Sequence, residues 1–400
     1  MHDFILREIK NSNIENEIKK IGFDVSYANR AVEKFDYKNL KIYNLSSAQA
    51  NIIKQTALSV GADCATHRDV ITGKIEKSNC ILGGSISQLK KISEKLKAQP
   101  FGLKELGEKI LSFATSGPLL QANEGVLRDC VPKNEAESSG EGCKRPKLVG
   151  ILNITENSFS DGGLYNELES AKQHLLEMIN VGADIIDIGA ESTKPYSSPV
   201  DAKTQIEKLL PIIDFAKDKI AISIDTRSAK VAEECLKAGA KIINDVSGFD
   251  YDEKMSDVIA KYNCPVIIQH SKGTPENMQN SPHYDDVIEE IFLNLHKKCE
   301  FAKSKGITNI IVDPGIGFGK TQENNFEIIR RVEEFKSLGY MIMLGISRKS
   351  FLNLKDNTQR DIYTTVINAL AIERNVDYIR VHNVKMHKTL IDLMRMFMVE

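Results

Sequence analysis

The chain has 400 residues, 42% of them hydrophobic and 27% charged, with a formal net charge of −2 at pH 7. That length exceeds one small domain and accommodates a barrel of roughly 250 residues with an extra module. The near-neutral balance supplies no basic field for nucleic acid, and no apolar run approaches the ~20 residues of a membrane span.

The N-terminus, Met1-His2-Asp3-Phe4, lacks the charged-then-apolar layout of a signal peptide. Seven cysteines, Cys64, Cys80, Cys130, Cys143, Cys235, Cys264 and Cys299, make an odd set without a CxxC pair. They read as reduced thiols, and the expected location is the cytoplasm.

Residues 1–114 carry helical patterns at Asn13–Ile21, Ser47–Val60 and Ser87–Lys97, and strand-like runs at Leu40–Leu45 and Asn79–Gly83. Gly83-Gly84 reads as a turn that ends the second run. The expectation is a small α/β module of its own, with no evident internal repeat. Cys64 and His67 form a C-x₂-H pair with no second pair; structural zinc takes four ligands, so both read as packing residues. Residues 115–146 contain Gly117, Pro118, Pro132, Gly140, Gly142 and Pro146 around a polar run from Asn134. Such a stretch buries too little surface to order itself and reads as a linker.

From Lys147 onward the pattern changes. Short apolar runs at Lys147–Leu152, Asp184–Ile188, Ile220–Ile224, Lys241–Ile243, Val266–Ile268, Asn309–Val312, Met341–Leu344 and Tyr378–Val381 alternate with amphipathic segments. The latter include Ala202–Lys217, Ala229–Ala238, Asp285–Lys305, Glu323–Phe335, Asp361–Arg374 and Lys385–Met398. Short continuous apolar runs are buried parallel strands. Eight strand–helix units over residues 147–400 predict a (β/α)₈ TIM barrel, an α/β fold with the small module at its N-terminus.

Chemistry in such barrels sits beyond the C-terminal ends of the strands. There the chain places Asn153, then Glu191-Ser192-Thr193, Asp225-Thr226-Arg227, Asn244-Asp245, Gln269-His270, Asp313, Ser347-Arg348-Lys349-Ser350 and His382, with Arg380 just inside the last strand. Each alone is readable as a helix cap or a solvated loop residue. All eight together describe one polar ring around one mouth. Asp225, Asn244 and Asp313 suit a flat heterocycle with N–H donors; Lys349, Arg380 and His382 suit a phosphate. The bland alternative for Lys349 and Arg380 is an ion pair with Asp313 or Asp377.

Seven ordered motifs carry a resemblance. They are Val149–Gly163, Asp184–Pro195, Ser223–Thr226, Ile242–Val246, Asp313–Thr321, Gly345–Phe351 and Arg380-Val381-His382. Over about residues 147–400 the chain resembles the dihydropteroate synthases. The resemblance implies condensation of 6-hydroxymethyl-7,8-dihydropterin pyrophosphate with p-aminobenzoate, pyrophosphate leaving first with the aid of Mg²⁺ and basic residues. It implies that Asp225, Asn244, Asp313 and Lys349 hold the pterin, and that Asn153, Arg380 and His382 hold the pyrophosphate, Asn153 helping to place Mg²⁺. Thr193, Lys194, Pro195, Phe159, Phe318 and Ser350 would border the p-aminobenzoate pocket. Asp161, Asp225, Asp313 and Lys349 would take part in the chemistry. A homodimer is implied by the same resemblance.

Five positions depart from the family pattern. Glu156-Asn157 stands for Pro-Asp, Lys194 for Arg, Gln269 for Met and Asn383 for Asp. Gln269 in place of an apolar residue is a polar group that needs a partner. Two rival readings are a barrel passing a methyl group from a folate to a corrinoid, and an idle barrel serving as scaffold for the N-terminal module. The first has no need of the Lys349, Arg380 and His382 corner. The intact ring argues against the second.

Overall fold

The computed structural model describes residues 14–24, 28–116, 145–154, 163–191, 199–273 and 282–398. The chain divides into two compact units, Met1–Leu119 and Leu120–Glu400.

In the first unit, β1 (Tyr37–Ser46), β2 (Asp63–Thr66) and β3 (Lys77–Ser85) form an antiparallel sheet in the order β1-β3-β2. Helices Ser47–Leu58 and Ile86–Lys97 supply Ile53, Leu89, Ile92 and Leu96 to a core that also takes Leu82 and Cys80 from β3. Both helices start in the same way. Ser46 with Gln49, and Ser85 with Gln88, make reciprocal capping boxes. The unit thus contains two strand–capping box–helix repeats, written as Ser-x-x-Gln twice, where no repeat was expected. Gly83-Gly84 is not a turn: β3 runs through both to Ser85. A Cβ on Gly83 would lie 2.5 Å from the Tyr37 hydroxyl, so glycine here lets the Tyr37 side chain cross the strand. The last helix of the unit runs Leu103–Ser116, beyond the expected start of the linker; residues 117–144 lie outside the described set.

The second unit is a closed barrel of eight parallel strands: β4 (Lys147–Asn153), β5 (Ile185–Gly189), β6 (Ala221–Asp225), β7 (Ile242–Asp245), β8 (Val266–Gln269), β9 (Ile310–Asp313), β10 (Met341–Leu344) and β11 (Tyr378–Val381). β11 closes the ring on β4, Tyr378 opposite Lys147. This is the expected (β/α)₈ fold. Two helices that the apolar pattern left unassigned, Gly163–Asn180 and Met255–Tyr262, complete the alternation. No helix among the described residues is long and apolar enough to cross a membrane.

Strand side chains alternate between faces, and that alternation sorts the barrel into layers. Outward residues such as Leu148, Ile186, Ile222, Ile243, Val266, Ile310, Ile342 and Ile379 join the helices in the main core. Inward, Val149, Ile185, Ala221, Ile242, Ile267, Ile311, Met343 and Tyr378 form one apolar plug, one residue per strand. Two residues further along the same strands stand Asp187, Ser223, Asn244, Gln269, Asp313 and Arg380. The plug seals the barrel below; the polar layer stands on it.

The lower rim is stapled by two aspartates that precede strands. Asp184 accepts the Leu148 N–H at 2.7 Å and pairs with both terminal nitrogens of Arg145. Asp377 accepts the Ile342 N–H at 2.6 Å and pairs with Lys336. Asp377 is therefore committed to the base of the barrel and is not a partner of Lys349 or Arg380.

Gly150 sits where β4 meets its covering helices. A Cβ there would come within 2.8 Å of Met178 Sδ and 3.1 Å of both Ile186 Cδ1 and Val384 Cγ2. Gly150→Ala overpacks this junction and is expected to lower the unfolding free energy by about 1–3 kcal/mol, read as a lower urea midpoint with unchanged slope.

Candidate active site

The mouth of the barrel is organised around Arg380 on β11. Its Nε donates to Asp187 Oδ2 at 2.6 Å, and a terminal nitrogen donates to Asp225 Oδ2 at 2.6 Å. Asn244 Nδ2 donates to Asp187 Oδ2 at 3.0 Å. These residues come from β5, β6, β7 and β11; Asp225 stands opposite Asn244 and two residues beyond Ser223, the partner of Asp187, and Arg380 joins the two carboxylates. Asp187, Asn244 and Asp225 are all buried. Asp187 Oδ1, Asp225 Oδ1 and Asn244 Oδ1 have no partner among the described residues. A buried polar atom without a partner costs about 1–3 kcal/mol, so three acceptors in one layer call for a ligand rich in N–H donors.

The β9 side is a glycine loop held by lysines. Asp313 accepts the Gly315 N–H at 2.7 Å, and burial pushes its carboxyl above the ordinary range. Gly315, Gly317 and Gly319 all have positive φ, at 72°, 80° and 60°. A Cβ on Gly315 would collide with the His270 carbonyl oxygen, and one on Gly319 with that of Lys272. Backbone therefore packs on backbone, which only glycine allows. Buried Lys320 closes the loop: its Nζ donates to Gly315 O at 2.8 Å and Phe318 O at 2.9 Å, and lies 3.0 Å from His270 Nδ1. Lys349 crosses above, its Nζ 3.9 Å from the Phe318 ring centre and its stem against Gly317. Burial, with the Arg380 charge, pushes the Lys349 ammonium down to about 7, against the pull of Asp313 and Asp225.

The β10 and β11 ends form the opposite rim. Arg348 has φ 57° and forks onto both oxygens of Asp361, at 2.8 and 2.9 Å. Asn383 Nδ2 also donates to Asp361 Oδ2, at 3.2 Å. An aspartate at 383 would instead face the Asp361 carboxylate, so the departure suits its surroundings. His382 lies on the inward side of β11, two residues past Arg380, with its ring against Ser347. Burial, then Arg348 and Arg380, push its imidazole down to about 3, so it is uncharged at neutral pH. In that form it offers a hydrogen bond in place of a charge. Asn153 stands at the tip of β4, next to Gly189 across the ladder. Ser350 is exposed and opens a 3-10 turn; Phe318 is buried.

Glu191 and Arg227 form a buried pair at 3.0 Å, with Arg227 stacked 4.2 Å over Tyr251. Glu191 also accepts the Val200 N–H at 3.3 Å, so it ties both ends of the segment that carries Thr193, Lys194 and Pro195. Those three residues, with Phe159 and Asp161, lie outside the described residues. Gln269 finds its partner in the Val246 carbonyl at 3.3 Å.

The family model described as pterin binding enzyme matches residues 149–382. A dihydropteroate synthase of Clostridium beijerinckii is 43% identical over 251 residues, covering 60% of this chain and 90% of its own. This chain belongs to the dihydropteroate synthase family of pterin-binding enzymes. A solved Clostridium difficile dihydropteroate synthase, determined in the presence of pteroic acid, superposes with a TM-score of 0.60 at 40% identity, covering 65% of this chain and 99% of its own. A probable bifunctional folylpolyglutamate synthase/dihydropteroate synthase of Haloferax volcanii is 34% identical over 84% of this chain, more than the barrel unit alone supplies. This chain spans only 40% of that protein's length.

Two groups that organise the mouth of this dihydropteroate synthase barrel, Asp187 and Lys320, have no role in the sequence pattern. Asp187 lies inside an apolar run, Ile185-Ile186-Asp187-Ile188, which reads as strand alone. An aspartate at an inward position of a buried strand is itself the signal, since it demands a cation. Lys320 stands in the Asp313–Thr321 motif without a task, whereas Ser347 belongs to the strand-end ring. The bland alternative paired Arg380 with Asp313 or Asp377; its ion-pair partners are Asp187 and Asp225.

Asp187→Ala removes one of the two carboxylates that hold Arg380 and the acceptor of Asn244. The expected loss of unfolding free energy is on the order of 3 kcal/mol, measured by urea denaturation. A loss below about 1 kcal/mol, the range of exposed pairs, would show that the bridge is not held as described.

Proposed function

We propose that this barrel condenses 6-hydroxymethyl-7,8-dihydropterin pyrophosphate with p-aminobenzoate to give 7,8-dihydropteroate and pyrophosphate. The observation that carries the reading is the set of unpartnered acceptors, Asp187 Oδ1, Asp225 Oδ1 and Asn244 Oδ1, on one buried layer. A pterin ring edge, with its amino and ring N–H groups, supplies the missing donors. Asp225, Asn244, Asp313 and Lys349 hold the ring; Asn153, Arg380 and His382 receive the diphosphate at the β11 rim. Phe318, Ser350, Phe159, Thr193, Lys194 and Pro195 border the p-aminobenzoate. The C–O bond breaks first, its electron pair leaving with pyrophosphate, and the aromatic amine then attacks the pterin methylene and loses a proton. The carboxylates of Asp225 and Asp313 steady the intervening cation, and Asp161 takes part in the chemistry as a further acid.

Asn153 gives one neutral oxygen at the strand tip. Mg²⁺ keeps several waters and is bound largely through substrate phosphates, so a single amide suits it. Bound there, the ion would neutralise diphosphate charge. The expected cellular location is the cytoplasm.

Mixing the two substrates with the full chain should release pyrophosphate in step with dihydropteroate. Release without p-aminobenzoate consumption, or none at all, rules the reading out. Burial pushes the Asp225 carboxyl up to about 7, held back by Arg380, and Lys349 is brought down to about 7. Asp225 is charged above its value and Lys349 below its own. The profile of kcat/KM for the pterin substrate should therefore be a narrow bell near pH 7, its limbs belonging to the coupled pair. Lys349→Arg, charged throughout, should remove the alkaline fall.

A homodimer is the proposed assembly. Ile362, Val366 and Leu370 lie at four-residue spacing with Tyr363 on helix Asn357–Glu373, each 45–60% exposed. Leu393, Met396 and Phe397 are exposed on the adjoining helix Val384–Met398. An apolar surface of this extent on one side of a barrel suits a self-complementary interface. Val366→Asp should shift the sedimentation coefficient from dimer to monomer; an unchanged value places the interface elsewhere.

A further inference from the structure

We propose that Ser347 is a positioning residue that holds the His382 imidazole with its proton on Nε2, so that the ring presents a donor to the phosphate end of the substrate. The identity of that substrate rests on the function proposed above; the placement of the proton does not.

Ser347 Oγ lies 3.1 Å from the His382 backbone nitrogen and 2.9 Å from His382 Nδ1. The backbone N–H can only donate, so the hydroxyl oxygen accepts there. Ser347 is buried, with 5% of its surface exposed, and its one proton needs an acceptor. His382 Nδ1 is its only such partner among the described residues. The hydroxyl therefore donates to Nδ1, which must carry a lone pair, and the ring proton moves to Nε2. The opposite tautomer would strand the hydroxyl proton in the interior. A doubly protonated ring would do the same, in keeping with the lowered imidazole pKa.

Two contacts from one hydroxyl to one residue also fix the ring's rotation. A ring flipped by half a turn would lose the Nδ1 contact and put Cε1–H where Nε2–H stood. Ser347 precedes Arg348 and Lys349, whose side chains are held by Asp361 and by the Phe318 ring. The serine thus links the strand end that carries Lys349 to the one that carries Arg380.

The test is long-range ¹H–¹⁵N correlation on the full-length protein labelled at histidine, with His382→Gln used to assign the signal. The expected pattern is an unprotonated, pyridine-type Nδ1 and a protonated, pyrrole-type Nε2. Ser347→Ala should give a mixture of tautomers and raise KM for the pterin pyrophosphate about five- to tenfold, the worth of one hydrogen bond. Ser347→Thr, which keeps the hydroxyl, should restore both. A wild-type ring protonated on Nδ1 overturns the proposal, and so does a Ser347→Ala protein that keeps the single Nε2–H form. Mixed tautomers with an unchanged KM would overturn the phosphate role alone, leaving the proton assignment in place.

Discussion

One cation inside the barrel sets the state of everything around it. Arg380 reaches across the mouth and satisfies Asp187 and Asp225 together. Without it, two carboxylates would stand close together in a dry layer, and at least one would hold its proton. With it, each carboxylate keeps one oxygen bound and one oxygen bare. The bare oxygens are what make the layer a receptor. Such a buried triad gives little net stability against an apolar filling of the same space. Its value lies in presenting fixed acceptors, and the apolar plug below it keeps that layer at one height.

The same charge reaches the glycine loop. Arg380 depresses Lys349 while Asp313 and Asp225 raise it, so the ammonium is poised by opposed fields instead of one partner. Its position is mechanical: the stem lies on Gly317 and the head over Phe318. That loop in turn hangs from Lys320, a buried lysine whose hydrogen bonds go to carbonyl oxygens and the neighbouring His270 ring. Burial pushes the Lys320 ammonium well below its ordinary range, and carbonyl oxygens suit either form of the amine. The loop is thus tied by hydrogen bonds that do not need a carboxylate, which leaves Asp313 facing the mouth.

Much of the barrel was legible because parallel strands buried on both faces read as short apolar runs, and the boundaries of β10 and β11 match the runs to the residue. The polar ring was legible because strand ends interrupt those runs. Legibility stopped where a polar residue sat inside a run. Asp187 is invisible to a search for strand ends, yet the inward alternation Ile185, Asp187, Gly189 places it in the mouth. Charge states were not legible either. His382 reads beside Lys349 and Arg380 as suited to a phosphate, while burial, with Arg348 and Arg380, pushes its imidazole down and favours the neutral ring. In the first unit, β2 is four residues long and half polar, too short for a periodic signal, and the strand was visible only through its pairing with β3.

The polar mouth therefore divides into two kinds of recognition. On the β5 to β7 side, acceptors with fixed geometry wait for donors, and their charge depends on Arg380. On the β10 and β11 side, a neutral imidazole and a half-exposed strand end offer donors without adding to a field already crowded by Arg348, Arg380 and Lys349. A diphosphate entering there brings its own negative charge, which would raise Lys349 toward its ordinary range and so charge it more fully when the ligand is present. Arg380 stands between the halves, bonded to the acceptors and adjacent along β11 to the donors. A substrate with a donor-rich ring and an anionic tail would then be read by both sides at once, and loss of the tail would return the lysine to its poised state.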